Sequence, residues 1–267
     1  MKNPNQRTVL SIAGSDSSGG AGIQADIRAI THLDCHAATA ITALTAQNSQ
    51  GVQAISEVSA SFVLAQLKAI FAEGAIHAIK IGMLYSIEII NTVTHFLNHH
   101  TTIPIVVDPV MVATSGDFLI KDTHLKESYH DLFAFATLIT PNLPEAEYFS
   151  DSKINTLLDM KKAAKTLSER YQCSVLIKGG HLEDKQATYI FYSHSEKRYI
   201  EYQQVRINTN CTHGTGCVLS SAIASFLTQD KEISEAIRLA KQYLTEQLLS
   251  CRAAAPLDNS TTHFVRG

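Results

Sequence analysis

The sequence predicts a three-layer α/β/α sandwich around a mostly parallel central sheet, and three observations carry that prediction. Short β-branched runs alternate with longer segments of helical period along the chain. The runs are apolar on successive residues, as strands covered on both faces are. Alternation of this kind requires parallel strands joined by crossover helices.

In chain order, strands are expected at Thr8–Ala13, Ala78–Ile81, Ile103–Val107, Thr137–Thr140 and Ser174–Lys178. A helix is expected from about Ile23 to His32, and the apolar segment Ala37–Ala46 reads as helix-like. Thr188–Tyr192 and Arg198–Tyr202 flank the polar Ser193–Lys197, which predicts an antiparallel hairpin at the sheet edge. The final helix is marked by Ile233, Ala236, Ile237, Ala240, Leu244 and Leu248 at three- and four-residue spacing. The tail from Ala253 is expected to be loosely ordered. No linker interrupts residues 1–267, so a single domain is expected.

Composition narrows the function. With 45% hydrophobic and 18% charged residues the chain can bury a large core. A formal net charge of -3 with scattered histidines excludes the basic stripe that nucleic-acid binding needs. The most apolar stretch is far shorter than the roughly 20 residues of a membrane-spanning helix. Met1 to Gln6 is polar, without the apolar run of a signal peptide, so a cytoplasmic location is expected. Five cysteines without a CxxC pair fit neither a disulfide framework nor a zinc site and are expected to be mostly buried, reduced thiols. His95 and His99 lack the intervening glutamate of a zinc-protease helix, and Gly-x-Ser-x-Gly is absent.

In open parallel sheets, ligands bind beyond the carboxyl ends of the strands. Gly14-Ser15-Asp16, Gly82-Met83, Asp108-Pro109, Pro141-Asn142 and Gly179-Gly180 each follow a predicted strand. Asn210-Cys211-Thr212-His213-Gly214-Thr215-Gly216-Cys217 opens a helix, and its glycines allow bare backbone N–H groups to meet a phosphate-sized anion. A simple helix-capping loop is the competing reading. Cys217 falls in the first turn, where the dipole would lower its pKa and prepare it to take a proton; an inert core thiol is the alternative. The loop Gly14–Gly22 lacks the Walker ending and the G-x-G-x-x-G spacing, so it suits a small substrate better than nucleotide phosphates. Asp26 and the amide of Gln47 are candidates to line that pocket. Asp108 and Glu145 offer oxygen ligands suited to Mg²⁺, although Asn142 and Glu145 could equally form a helix cap. Lys178 could meet nucleotide phosphate as a point charge.

Taken together, Ser11–Asp16, Gly19–Asp26, Thr42–Asn48, Lys80–Leu84, Val107–Ala113, Thr140–Glu147, Lys178–His181 and His213–Cys217 closely resemble the phosphomethylpyrimidine kinase family, a branch of the ribokinase superfamily. The similarity runs from about Val9 to the final helix. The cysteine at 217 is specific, because most ribokinase relatives carry aspartate there. The resemblance implies an ATP- and Mg²⁺-dependent kinase that converts 4-amino-5-hydroxymethyl-2-methylpyrimidine to its monophosphate and then its diphosphate in thiamine biosynthesis. It implies Cys217 as catalytic base, with Gly214, Thr215 and Gly216 donating to the transferring phosphoryl group. It places Gln47, Asp26, Met83 and Gly14 at the pyrimidine, Lys178, Asn142 and Thr212 at the nucleotide, and Asp108 and Glu145 at the metal. It further implies a flap at Met111–Phe118 and a homodimer acting on small molecules.

Three departures stand out. Ser17 replaces a frequent proline, Asp34-Cys35-His36 replaces a glycine-containing stretch, and Tyr85 stands where a small residue is usual. They bear on pocket size and flap fit.

Overall fold

Side chains alternate between the two faces of a strand, and in this chain that alternation decides which residues reach the ligand face. The structure is a computed structural model describing residues 6–48, 51–98, 102–111, 125–179, 186–207, 209 and 212–254. In order, the elements are β1 (Thr8–Asp16), α1 (Gly22–His32), β2 (His36–Asn48), β3 (Gly51–Glu57), α2 (Ala60–Glu73), β4 (Ala78–Ile81), α3 (Ile87–Leu97), β5 (Ile105–Val107), α4 (Leu125–Phe133), β6 (Leu138–Ile139), α5 (Leu143–Ser150), α6 (Leu157–Tyr171), β7 (Ser174–Gly179), β8 (Gln186–Ser193), β9 (Arg198–Val205), α7 (Thr215–Leu227) and α8 (Ile233–Ala254). Among the described residues, one sheet holds nine strands in the order β3-β2-β1-β4-β5-β6-β7-β8-β9. The inner strands pair in parallel, while β3, β8 and β9 join through antiparallel pairings.

The sheet has a separate core on each face. Leu10, Ile12, Ile79, Ile81, Ile105 and Val107 pack towards α2 to α6. Val9, Ala78, Val106 and Leu176 pack towards α1, α7 and α8. Two residues beyond each of these last four stand Ser11, Lys80, Asp108 and Lys178, so the strand period carries all four polar side chains to the face of α1, α7 and α8. The three-layer prediction is correct, and the edge hairpin runs longer than expected, as β8 and β9.

The helix-like reading of Ala37–Ala46 is wrong: the segment is β2, paired with β1 on one side and β3 on the other. Alanine favours helix intrinsically, but packing against two neighbours overrides so weak a preference. The threonines then serve the loops, since Thr42 Oγ1 donates to the Met83 carbonyl at 2.6 Å and Thr45 Oγ1 to the Ser15 carbonyl at 3.0 Å. β3 was not expected; it is short and largely exposed, with little apolar pattern.

Two of the departures coincide with special backbone. Asp34 and Tyr85 have φ of 58° and 65°, the left-handed region that glycine enters without strain. Cys35, Cys173 and Cys217 are free, as expected, whereas Cys251 is disulfide-bonded; spacing along a chain does not reveal which thiols meet in space.

Candidate active site

Two helices begin at the same place. Neither α1, at Gly22, nor α7, at Thr215, has a side-chain cap or an acidic residue in its first turn. The Gly22 N–H turns to the Cys217 sulfur and the Thr215 N–H to the Thr212 carbonyl at 3.4 Å, no side chain caps the rest of either first turn, and both positive helix ends face one crevice. Two glycines permit the approach. Gly214 precedes α7 with φ 78°, and a Cβ there would lie 2.0 Å from the Gly20 carbonyl oxygen. Gly22 has φ 57°, and a Cβ there would lie 2.3 Å from the Gly14 carbonyl oxygen. The loop after β1 and the loop before α7 thus interlock through bare backbone.

Cys217 is in the first turn of α7, and the backbone N–H of Gly22 donates to its sulfur. Burial pushes this thiol up to about 11, while the Lys80 ammonium pulls in the opposite direction. The expectation of a lowered thiol pKa is thereby corrected: the fold removes water from around the sulfur, which disfavours its charged form.

On the substrate side, the Ser17 hydroxyl donates to the Gln47 carbonyl and accepts from the Gln47 N–H, each at 2.9 Å. Proline at position 17 could make neither bond, so this departure fastens the backbone beneath the Gln47 amide. Gln47 Nε2 lies 3.2 Å from His213 Nε2, which in turn lies 2.9 Å from Asp16 Oδ2. Burial alone would raise Asp16, but hydrogen bonds from His213, Ser18 and the Ala21 N–H hold its carboxyl below the usual range. Gly14 and Met83 adjoin one another, both on the cavity wall.

Asp26 is placed differently from the expectation that it lines this pocket. It is fully buried, and its oxygens receive Lys80 Nζ at 2.8 and 2.9 Å, Ser11 Oγ at 2.6 Å and Ser221 Oγ at 2.8 Å. A helix position alone could not reveal a partner 54 residues away. Lys80, itself fully buried, backs the cavity wall, whereas Asp26 does not.

On the opposite side, Lys178 Nζ lies 2.5 Å from Asp108 Oδ1, to which Thr140 Oγ1 also donates at 3.2 Å. A Cβ on Gly216 would come within 3.2 Å of Asp108 Oδ2 and 3.4 Å of Lys178 Nζ, so this pair sits directly under the start of α7. Asn142 and Glu145 form the capping box of α5: Asn142 Oδ1 accepts from the Glu145 N–H and Glu145 Oε2 from the Asn142 N–H, both at 2.9 Å. The Met111 N–H also donates to Glu145. Burial, with Asp108 nearby, raises the Glu145 carboxyl to about 7, against the pull of Lys178. The capping reading of Glu145 is therefore correct, and it still leaves the carboxylate on the cavity wall. Thr212 accepts the Thr215 hydroxyl hydrogen bond at 3.0 Å through its carbonyl. Cys211, Gly180, His181, His99 and most of the Met111–Phe118 flap lie outside the described residues.

Sequence reasoning missed three contributors. Lys80 and His213 open two of the segments that carry the resemblance, but nothing in those segments assigns either a role. Lys241 is a buried lysine on α8 that donates to the Ala187 carbonyl at 3.2 Å and lies 4.4 Å from the centre of the Tyr189 ring. Burial lowers its ammonium to about 8. A lysine on an amphipathic helix ordinarily reads as solvated surface, so no local signal marked it.

One cavity of about 1210 Å³ joins these parts, running from Gln47 and Met83 past Cys217 to Lys178, Tyr189 and Lys241. Its size exceeds the roughly 300–1,000 Å³ of a single-ligand pocket and suits two ligands side by side. At one end of the cavity Asp108 and Glu145 stand near one another as two oxygen donors, a set that fits Mg²⁺, which takes one or two carboxylates and completes its shell with phosphates and water. Among the described residues no helix is long and apolar enough to cross a membrane.

Fold and crevice define an α/β protein of the ribokinase-like class. More narrowly, the chain belongs to the phosphomethylpyrimidine kinase family, whose model matches residues 16–259. It is 42% identical to the hydroxymethylpyrimidine/phosphomethylpyrimidine kinase of Rhizobium meliloti over 88% of each chain. It is 41% identical to the thiamine biosynthesis bifunctional protein ThiED of Geobacter sulfurreducens over 94% of this chain, but spans about half the length of that relative and of others like it. Among solved structures, it matches phosphomethylpyrimidine kinase from Clostridium difficile with a TM-score of 0.80 and 39% identity, covering 91% and 99% of the two chains. It matches an ADP complex of Bacillus subtilis pyridoxal kinase with a TM-score of 0.81 and 32% identity, covering 90% and 91%.

Proposed function

We propose that this chain is the kinase that moves the γ-phosphoryl group of ATP to 4-amino-5-hydroxymethyl-2-methylpyrimidine, and then to the resulting monophosphate, in thiamine diphosphate synthesis. The observation that carries the reading is the position of Cys217. Its sulfur faces the meeting point of two uncapped helix ends, between the Gln47 amide on one side and the Asp108–Lys178 pair on the other.

Each residue then has a task. Gln47 reads the nitrogen edge of the pyrimidine, with Met83 and Gly14 forming the adjoining wall. The substrate oxygen attacks the γ-phosphorus while Cys217 takes the hydroxyl proton. The N–H groups of Gly214, Thr215 and Gly216 hold the equatorial oxygens of the migrating group, where phosphoryl transfer gains most of its rate. Lys178, Asn142 and Thr212 hold the nucleotide phosphates. Asp108 and Glu145 would hold Mg²⁺, which supplies neutralisation of phosphate charge. Tyr189 and Lys241 extend the nucleotide side of the cavity. The same reading has the protein working in the cytoplasm as a homodimer on small molecules, not on nucleic acid or membranes.

The test is phosphorus NMR of products formed with ATP, Mg²⁺ and the pyrimidine alcohol. The monophosphate should appear first and the diphosphate after it; ATP left intact would refute the reading. The similarity to pyridoxal kinases supports pyridoxal as a second acceptor. A kcat/KM for pyridoxal more than about tenfold above that for the pyrimidine, roughly 1.4 kcal/mol of transition-state binding, would reassign the substrate.

A further inference from the structure

Lys80 and Asp26 form a fully buried ion pair, with both side chains at 0% exposure. Four elements meet there. Lys80 comes from β4 and Ser11 from β1, both turned towards α1 and α7 by strand alternation. Asp26 comes from α1, and Ser221 from α7. Ser221 follows Cys217 by one helical turn, so the two side chains stack on one face of α7. The Ser221 hydroxyl bonds to the carboxylate that grips Lys80, so one hydrogen-bonded chain links the ammonium to the helix face that carries the sulfur. The pair is also oriented: Lys80 lines the cavity together with Cys217, and Asp26 does not. Lys80 is therefore the member of the pair that lies on the Cys217 side.

Such an arrangement has a chemical use. For the alcohol to be phosphorylated, Cys217 first releases its proton to solvent. The thiolate then takes the hydroxyl proton as the new O–P bond forms and the bond to ADP breaks, leaving the sulfur protonated again. A thiolate in a desolvated site needs a nearby cation, and low surrounding polarity strengthens the attraction. We propose that Lys80, clamped by Asp26, is a positioning residue for this reaction: its ammonium is the fixed counter-charge beneath the Cys217 sulfur in its anionic form. The inference rests on the reading of Cys217 as the base.

The test compares the wild type with Lys80→Met and with Lys80→Met/Asp26→Asn. The single variant leaves a buried carboxylate without its cation and is destabilised on that ground alone; the double variant removes both charges and keeps the volume. For each folded protein, three quantities are read: kcat and KM for the pyrimidine alcohol, and the rate at which iodoacetamide labels Cys217 at pH 8, followed by mass spectrometry. In the folded double variant, KM should stay within about threefold of wild type, kcat should fall at least about thirtyfold, and Cys217 labelling should slow at least about tenfold. Wild-type kcat and labelling rate in that variant would overturn the proposal. Labelling needs no substrate, so a wild type that makes no phosphorylated product would sink the kinase reading while leaving the Lys80–Cys217 coupling separately measurable.

Discussion

His213 Nε2 lies 2.9 Å from Asp16 Oδ2, joining residues 197 positions apart in the chain. Asp16 ends β1 and His213 immediately precedes Gly214, so this bond ties the loop after β1 to the loop before α7. Its carboxylate is held below the ordinary range, so the stabilisation is complete above the usual carboxylate pKa of about 3.8 and is lost as pH falls through the lowered value. Asp16→Asn should cost about 1.5–3 kcal/mol at pH 7, the usual worth of hydrogen bonds to a charged group. Denaturant unfolding at a series of pH values checks it: the gap to wild type should narrow only below about pH 4.

Gln47 is fastened through its backbone by Ser17 and beside its amide by His213. Removing the amide should leave that backbone in place. Gln47→Ala is expected to raise KM for the pyrimidine roughly tenfold, as loss of one or two hydrogen bonds would. KM for ATP should be unchanged, and steady-state kinetics with each substrate varied separates the two.

Gly214 combines φ of 78° with a neighbouring carbonyl 2.0 Å from where a Cβ would stand. Alanine there must displace the backbone of one loop or the other. Gly214→Ala should destabilise by at least about 2 kcal/mol and weaken ATP binding, because the N–H groups that follow lose their direction. Thermal unfolding with and without ATP reads both effects.

Lys241 illustrates the reverse sign. Burial lowers its ammonium to about 8 from the ordinary 10.5, so the folded state bears the strain of a buried cation at neutral pH. Between about pH 8 and 10.5 the unfolded chain holds the extra proton, and stability should rise with pH. Lys241→Met should therefore be more stable than wild type at pH 7, with the advantage fading towards pH 10.5, while KM for ATP rises. Melting temperatures across that range provide the check.

Much of this was legible in the sequence where a local rule sufficed. Strand ends carrying Asp108, Asn142 and Lys178 announced the ligand edge, and the glycines before Cys217 announced an uncapped helix. What stayed hidden depended on tertiary placement. Ala37–Ala46 reads as helix until two neighbouring strands claim it. Asp26 was taken as a pocket residue because its cation lies on a strand 54 positions away. A helix end, which sequence shows, argues for an acidified Cys217 thiol, whereas the burial that raises it exists only in the fold.

The central claim concerns a sulfur that accepts a proton, and Cys217→Ala addresses it most directly. The alcohol must give up a proton, but the monophosphate attacks through an oxygen that is already charged. With the alcohol as acceptor, kcat should fall by about 100-fold or more, the usual scale of general-base catalysis, while KM stays within about threefold. With the monophosphate as acceptor, the loss should be much smaller. A Cys217→Ala enzyme that phosphorylates the alcohol at the wild-type rate would contradict the account.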